Sequence, residues 1–222
     1  MKKWTVVLLV LAGIFWFLMR TTRTNSLEAP GFEPMRDDSM AVRYAPAVVS
    51  PEEFGQPDAL YYRAARSNGK VYITYHFVWA GESNPAPGFL PWLNRTLYTG
   101  GLRLQKTIFG KGDVEMVSLV IDSSGNIDEV IYETAENHDP SDFSVKHSTV
   151  RTVAKPPLLF RVVSWNHLFL LEAGLSGKVM RPEYFSQTLW DEYEMVKERE
   201  SLLKKSRAHL PYERRAAVQN PD

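Results

Sequence analysis

The stretch Lys70-Val71-Tyr72-Ile73-Thr74-Tyr75-His76-Phe77-Val78-Trp79 carries the clearest structural pattern in the chain. Every odd-numbered residue from Val71 to Trp79 is apolar. This repeat of two residues is the period of a β-strand. β-Branched and aromatic side chains dominate it, as is typical of strands. The pattern predicts a strand with one heavy inner face. The preceding Ser67-Asn68-Gly69 is a turn sequence and predicts a hairpin with residues 60–65.

Three further strands are predicted downstream, over residues 114–121, 130–133 and 158–164. The sequence Asp122-Ser123-Ser124-Gly125-Asn126 supplies the turn between the first two of them. No helical pattern separates these strands. Their succession therefore favours antiparallel sheets packed as a sandwich.

A helix is predicted after the strands, over residues 181–208. Pro182 and Glu183 suit the start of a helix, because proline lacks the amide hydrogen and glutamate favours the helix dipole there. An apolar stripe then recurs at helical spacing, and we expect it to pack against the sheet. The stripe consists of Phe185, Leu189, Trp190, Tyr193 and Val196.

The chain begins with a hydrophobic segment bounded by basic residues. Residues 4–19 are sixteen positions without a charge, preceded by Lys2 and Lys3 and followed by Arg20 and Arg23. Sixteen helical residues span roughly 24 Å, slightly less than a hydrocarbon core, and flanking basic side chains extend that reach. The segment predicts an uncleaved, single-pass membrane anchor, with the main domain periplasmic or otherwise extracytoplasmic. A cleaved signal peptide is the alternative.

These patterns divide the chain into five parts and give an α+β fold class. Residues 1–23 are the membrane anchor or signal segment, and residues 24–59 are a tether that holds five of the fourteen prolines, which break helices. Residues 42–49 within it could add an edge strand. Residues 60–180 form the antiparallel β-sandwich, residues 181–208 the C-terminal amphipathic helix, and residues 209–222 a flexible tail.

Composition excludes several classes of function. Lys plus Arg and Asp plus Glu both number 26, so the net charge is zero and no basic excess supports nucleic-acid binding. Cysteine is absent, which excludes disulfides, thiolate zinc sites and thiol nucleophiles. Hydrophobic residues make up 44% of the chain, enough for a packed core.

Three segments together resemble a broad β-sandwich group that includes necrosis-inducing proteins and vacuolar-sorting-associated relatives. They are Tyr75-His76-Phe77-Val78-Trp79, Gly112-Asp113-Val114-Glu115-Met116-Val117 and Val162-Val163-Ser164-Trp165-Asn166-His167. They occur in the group's order and span about residues 60–170. The resemblance implies a β-sandwich over this half of the chain.

The chain departs from the necrosis-inducing members at their cation-binding heptapeptide. Val114 stands where those members have tryptophan, and residues 110–112 are Gly-Lys-Gly where they have histidines. Asp113 and Glu115 match. The resemblance therefore does not bring the group's metal or its membrane-damaging activity to this chain.

Asp113 and Glu115 are the candidate metal ligands that the residues themselves suggest. They lie two apart on a predicted strand and so share one face. With His138 or His167 nearby they would offer oxygen and imidazole ligands to a divalent cation. A structural carboxylate pair is the favoured interpretation, because a metal needs three or more converging ligands. No cofactor is expected, and a divalent cation is left as the alternative.

Ser164 and His167 do not make a convincing hydrolase. No Gly-x-Ser-x-Gly sequence surrounds Ser164.

Residues 81–104 are a second unusual feature, with apolar residues among prolines and glycines. They either fold back over a sheet or contact lipid or a partner. The predicted contact residues are Phe89, Leu90, Trp92, Leu93 and Arg95.

The sequence thus predicts a membrane-anchored, non-catalytic module, held by residues 4–19, that binds a ligand or a protein partner outside the cytoplasm. A divalent-metal-dependent enzyme centred on Asp113 and Glu115 is one alternative. An accessory subunit of a larger membrane assembly is another.

Overall fold

A computed structural model describes residues 5–7, 9–13, 31–99, 112–136, 139, 145–173 and 177–193. Within these ranges β-strand is the commonest regular structure, and the helices are short. The strands, in chain order, are β1 Glu33–Met35, β2 Ala47–Val49, β3 Ala59–Ser67, β4 Lys70–Trp79, β5 Asp113–Ile121, β6 Ile127–Ala135, β7 His147–Thr152, β8 Leu159–Val162, β9 Phe169–Glu172, β10 Lys178–Val179 and β11 Glu183–Tyr184. The helices are α1 Asp38–Tyr44, α2 Phe89–Asn94 and α3 Gln187–Glu192, with a 3₁₀ turn at Glu52–Phe54 and a π-helical turn at Arg95–Thr99.

The strands form two sheets. The larger runs in the order β1-β3-β4-β5-β6-β7, with β11 also paired to β3, and the smaller runs β10-β2-β8-β9. All pairs are antiparallel except β11 with β3 and β2 with β8. The prediction of mostly antiparallel sheets is confirmed.

The predicted hairpin before β4 is present. Ser67 pairs with Lys70 across a two-residue turn. Asn68 and Gly69 both have positive φ, 49° and 74°, which is the backbone that such turns require and that Asn-Gly adopts readily. This turn sets the register of the nine residue pairs that join β3 to β4.

One hydrophobic core lies between the two sheets. Tyr75, Phe77 and Trp79 of β4 are each at most 2% exposed. Phe77 meets Phe169 of β9 with ring centroids 5.5 Å apart. Tyr132 of β6 likewise meets Phe160 of β8 at 5.1 Å. The aromatic residues of both sheets interdigitate, which is consistent with a β-sandwich.

Strand β4 is buried on both of its faces. The alternation predicted one heavy inner face, yet Thr74 and His76 on the other face are fully buried and Val78 is 3% exposed. The rings of Phe185 and Trp190 lie against His76, at 5.1 and 5.3 Å between centroids. The C-terminal segment therefore covers the outer face of the large sheet, as predicted for its apolar stripe.

Much of the predicted tether belongs to the folded domain. Helix α1 buries Ala41 and Tyr44, and the Tyr44 hydroxyl donates to the Gly125 carbonyl at 2.7 Å. Strand β2 lies between β10 and β8, so residues 47–49 are an inner strand rather than an edge strand. The tether prediction is wrong for residues 31–59, because this proline-containing stretch forms short helices and strands that pack into the domain.

The C-terminal helix begins later than predicted. Glu183 follows Pro182 in an extended backbone that pairs with β3, opposite Tyr61. Helix α3 starts at Gln187, after Ser186, whose hydroxyl accepts from the Leu189 amide at 3.3 Å. Serine is a favoured cap residue for this reason. The remainder of the predicted helix, beyond residue 193, lies outside the described residues.

The N-terminal segment is described only in part. Residues 5–7 and 9–13 are helical, and the rest of residues 4–19 lies outside the described ranges. No helix among the residues that the structure describes is long and apolar enough to cross a bilayer.

Candidate functional site

Asp113 and Glu115 lie at one end of the core. Asp113 pairs with Trp79 and Glu115 with Phe77 across β4 and β5. Side chains two apart on a strand share a face, and the next two in this row, Val117 and Leu119, are core residues. The predicted shared face is therefore present, and it is the face toward the second sheet.

Gly112 fixes the backbone just before Asp113. Its φ is +71°, and a Cβ atom added there would lie 2.5 Å from the Trp79 carbonyl oxygen. Only glycine avoids both the left-handed strain and this contact. The close approach holds the start of β5 against the end of β4.

His167 comes to this end of the core from the corner between β8 and β9. The corner is closed by the Val163 amide donating to the Leu168 carbonyl at 2.8 Å and the His167 amide donating to the Ser164 carbonyl at 2.9 Å. His167 has φ +59°, a conformation that costs a non-glycine residue energy and often marks a constrained position. The corner turns the imidazole inward, where it is 1% exposed.

Both ring nitrogens of His167 have partners. Nδ1 lies 2.6 Å from Asp113 Oδ2, and Nε2 lies 2.9 Å from the Phe54 carbonyl oxygen. The ring also stacks on the Trp79 indole, with centroids 4.2 Å apart and planes 7° apart. We call Asp113, Glu115 and His167, with Trp79 and Phe54, the acid–histidine site. It joins both sheets and the 3₁₀ turn.

The hydrogen bonds of His167 define its proton content. A carbonyl oxygen only accepts, so Nε2 carries a hydrogen. One further hydrogen lies between Nδ1 and Asp113 Oδ2. The pair is either an imidazolium facing a carboxylate or a neutral imidazole facing a carboxylic acid, and its net charge is zero in both states. Burial lowers the pKa of His167, while the Phe54 carbonyl and the charges of Glu82 and Glu115 oppose that shift.

The site does not offer an open coordination sphere. Because each nitrogen of His167 is engaged, the ring would have to break a hydrogen bond before it could hold a cation. Glu115 is 4% exposed and Glu82 is 8% exposed. Across the part of the chain that the structure describes, no three His, Asp or Glu side chains are grouped to hold a metal ion. His138, the other predicted ligand, lies outside the described residues.

A second acid–histidine pair touches the same corner. His147 Nδ1 donates to Glu133 Oε2 at 2.7 Å, and its Nε2 lies 2.9 Å from Asn166 Nδ2. Asn166 Oδ1 in turn accepts from the Ser164 hydroxyl at 2.7 Å. Sequence reasoning missed this chain of hydrogen bonds, because it depends on the pairing of β6 with β7. The signal available was the buried-strand residue Glu133 within a hydrophobic run.

Ser164 is a structural residue of the corner. It is fully buried, and its hydroxyl donates to Asn166 and accepts from the Leu168 amide at 3.2 Å. A nucleophile needs a base at its hydroxyl and access for substrate. Ser164 has neither. Its hydroxyl donates to an amide oxygen rather than to a base, and the residue is fully buried.

The predicted contact residues of the insertion divide into two groups. Phe89, Leu90 and Trp92 are 70%, 48% and 51% exposed, and we call these three the aromatic protrusion. Phe89 and Trp92 stack on each other at 5.8 Å. Leu93 is half-buried.

Arg95 supports the protrusion from inside. Its Nη1 donates to the carbonyls of Asn84 at 2.6 Å and Ala86 at 2.8 Å. The Asn84 side chain, itself fully buried, accepts from the Ala86 amide at 2.9 Å. Arg95 was predicted to contact a partner or lipid, but its guanidinium is used to close the loop beneath the protrusion.

The chain matches no protein-family model and no curated protein. Among solved structures it is similar to one described as "NLPPya in complex with glucosamine", at 16% identity over 72% of this chain and 81% of that chain, with a TM-score of 0.42. The mannosamine complex of the same protein gives 16% identity, the same coverage and a TM-score of 0.41. A structure described as "Toxin fold for microbial attack and plant defense" gives 15% identity over 73% of this chain and 80% of that chain, with a TM-score of 0.37.

All three similarities have TM-scores below 0.5. At such identity and overlap they carry no argument about ligand or activity.

Proposed function

We propose that this protein is a membrane-anchored, non-catalytic β-sandwich module that works outside the cytoplasm and binds a ligand or partner there. One observation carries the proposal. His167 and Ser164 are buried and engaged in internal hydrogen bonds, whereas the aromatic protrusion is exposed on a braced loop. Exposed apolar groups on an ordered frame are typical of contact surfaces.

The uncharged segment at residues 4–19 supports the membrane part of the proposal. Its basic flanks and bulky apolar residues fit an anchor that is retained. An anchor of this kind would hold the β-sandwich at a membrane surface, where a binding surface needs no catalytic group to be useful.

Single-cysteine labelling tests the extracytoplasmic location. The chain has no cysteine, so Val153→Cys, at a position that is 72% exposed, would be its only thiol. We expect a membrane-impermeant maleimide to label this variant in intact cells. The unsubstituted chain is the control for background labelling. Labelling of Val153→Cys only after the cells are lysed would contradict the proposed location.

A metal-dependent enzyme centred on Asp113 and Glu115 is the second candidate, with His138 or His167 as the further ligand. The observation that favours it is that Asp113 and Glu115 share one strand face and that His167 reaches the same end of the core. A cation at one hundred times its dissociation constant would stabilise the native protein by about 2.7 kcal/mol.

Melting curves separate the two candidates. We expect calcium, magnesium, zinc and a chelator each to leave the melting temperature of the native protein unchanged. A rise with one of these cations that is lost in Asp113→Asn and Glu115→Gln would favour the enzyme. His138→Ala and His167→Ala would then identify the third ligand.

A further inference from the structure

The aromatic protrusion is the exposed aromatic surface of the domain. No other Phe, Tyr or Trp side chain that the structure describes is classed as exposed. The remaining large apolar residues exposed in the domain are aliphatic and belong to separate elements: Val42 in α1, Val153 after β7, Leu170 in β9 and Val179 in β10. The protrusion is therefore a distinct patch.

The protrusion is held in place by its own loop. Gly88, with φ +117°, begins the turn into α2, and its carbonyl accepts from the Trp92 amide at 3.1 Å. Pro91 and Asn94, on the same short helix, are buried. The helix thus buries one side and presents Phe89, Leu90 and Trp92 on the other.

The chemistry of the protrusion suits a bilayer interface. Residues 83–94 contain no charged side chain, and the charge of Arg95 is turned inward to two carbonyls. Burial of this surface in lipid would therefore not remove a charged side chain from water. Tryptophan is enriched at the boundary between head groups and acyl chains, and Trp, Phe and Leu form the apolar face of helices that lie in this boundary.

We infer that the aromatic protrusion lies against the same lipid bilayer that holds residues 4–19. This inference rests on the proposed membrane anchor. The occupant is lipid rather than a protein, because the anchor brings the domain to a membrane whether or not a partner is present.

The chain length allows this contact. Strand β1 enters the large sheet opposite Arg66, near the β3–β4 turn, whereas the protrusion follows the far end of β4. Ten residues of strand separate these two ends by about 30 Å. Residues 21–32 reach at most about 40 Å when extended. The domain could therefore turn its protrusion toward the bilayer without strain on the connection.

Environment-sensitive probes at single cysteines test the contact. Phe89→Cys and Trp92→Cys would be made in the full, otherwise cysteine-free chain, labelled with nitrobenzoxadiazole and incorporated into phosphatidylcholine vesicles. Val153→Cys, at a position at least as exposed but remote in sequence and element, is the matched control. We expect a blue shift, protection from iodide and quenching by nitroxide lipids at positions 89 and 92, and none of these at position 153.

Each other outcome overturns the inference in a recognisable way. If the chain floats with the vesicles but iodide quenches all three probes equally, the anchor stands and the lipid contact is wrong. If the chain does not float with the vesicles, the proposed anchor fails and the inference fails with it.

Discussion

His167 has an unfavourable backbone conformation and a side chain whose two ring nitrogens both have hydrogen-bond partners. Its left-handed φ of 59° is retained because the imidazole bonds to Asp113 and Phe54 and stacks on Trp79. Three elements that are far apart in sequence meet at this ring. The residue therefore acts as a tie between the two sheets.

Removing the Asp113 carboxylate tests this tie. Asp113→Ala would leave His167 Nδ1 buried without its partner, and we expect the free energy of unfolding to fall by about 1–3 kcal/mol. Asp113→Asn keeps an amide of similar shape whose N–H can donate to Nδ1 of the neutral imidazole, so its loss should be smaller. Urea denaturation of both variants measures the difference. Equal, negligible losses would show that the contact contributes nothing to stability.

Gly112 offers a second test at the scale of one residue. Gly112→Ala adds a left-handed cost of roughly 1–2 kcal/mol and a Cβ atom 2.5 Å from the Trp79 carbonyl oxygen. Gly69, in the Asn-Gly turn, has a similar φ of +74° with nothing within 4 Å of the added atom, so Gly69→Ala serves as the control for the cost of a positive φ. We expect Gly112→Ala to be clearly the less stable of the two in thermal melts. Equal melting temperatures would mean that the strand ends separate freely.

At the scale of elements, the strongly patterned strands and the short strand β8 were predicted from the sequence, whereas most of the other short strands were not. Strands β4, β5 and β6 have runs of β-branched and aromatic residues, and their hairpins follow from local turn sequences. Strand β2 has three residues and pairs in parallel with β8, more than a hundred positions away. Strand β7 is a polar edge strand. Such pairings depend on tertiary contacts that no local pattern encodes.

The candidate site shows the same division. The spacing of Asp113 and Glu115 predicted their shared face, and His167 was among the predicted ligands. Apart from Asp113, the partners of His167 could not be predicted, because one is the Phe54 backbone carbonyl and the other is the face of the Trp79 ring. The helix start predicted at Pro182-Glu183 was wrong for a similar reason. Local preference favours a helix there, but the tertiary pairing of Glu183 with Tyr61 keeps the backbone extended.

The C-terminal segment should be an integral part of the domain. Trp190 is 1% exposed and its ring lies 4.2 Å from the Arg63 guanidinium carbon and 5.3 Å from His76. We expect Trp190→Ala to lower the free energy of unfolding by about 3–5 kcal/mol. Trp92→Ala removes an equally large but half-exposed ring and should change it by about 0.5 kcal/mol or less. Denaturant titration distinguishes the two; similar losses would contradict the assigned burial.

Considered as a whole, the molecule places its internal ties and its exposed surface near the same end of β4. Trp79 is the last residue of β4, and its ring stacks on His167. The chain then continues into the loop that carries the aromatic protrusion. A loop attached to a well-tied corner keeps its shape without a large core of its own. That arrangement suits a contact surface that must stay ordered while exposed.

The proposed anchor at residues 4–19 is the whole-molecule feature on which the proposed function depends. Leu9 and Leu11 lie near the middle of the uncharged segment, and an arginine at the centre of a membrane helix costs roughly 2.5–3.5 kcal/mol. We expect the native chain to sediment with membranes and to resist extraction by high salt, and the double variant Leu9→Arg, Leu11→Arg to become salt-extractable or soluble. Val153→Arg and Val179→Arg, at exposed positions in the domain, control for added positive charge and should sediment like the native chain. A soluble native form that begins after residue 20 would identify the segment as a cleaved signal, and the domain would then reach its target without an anchor.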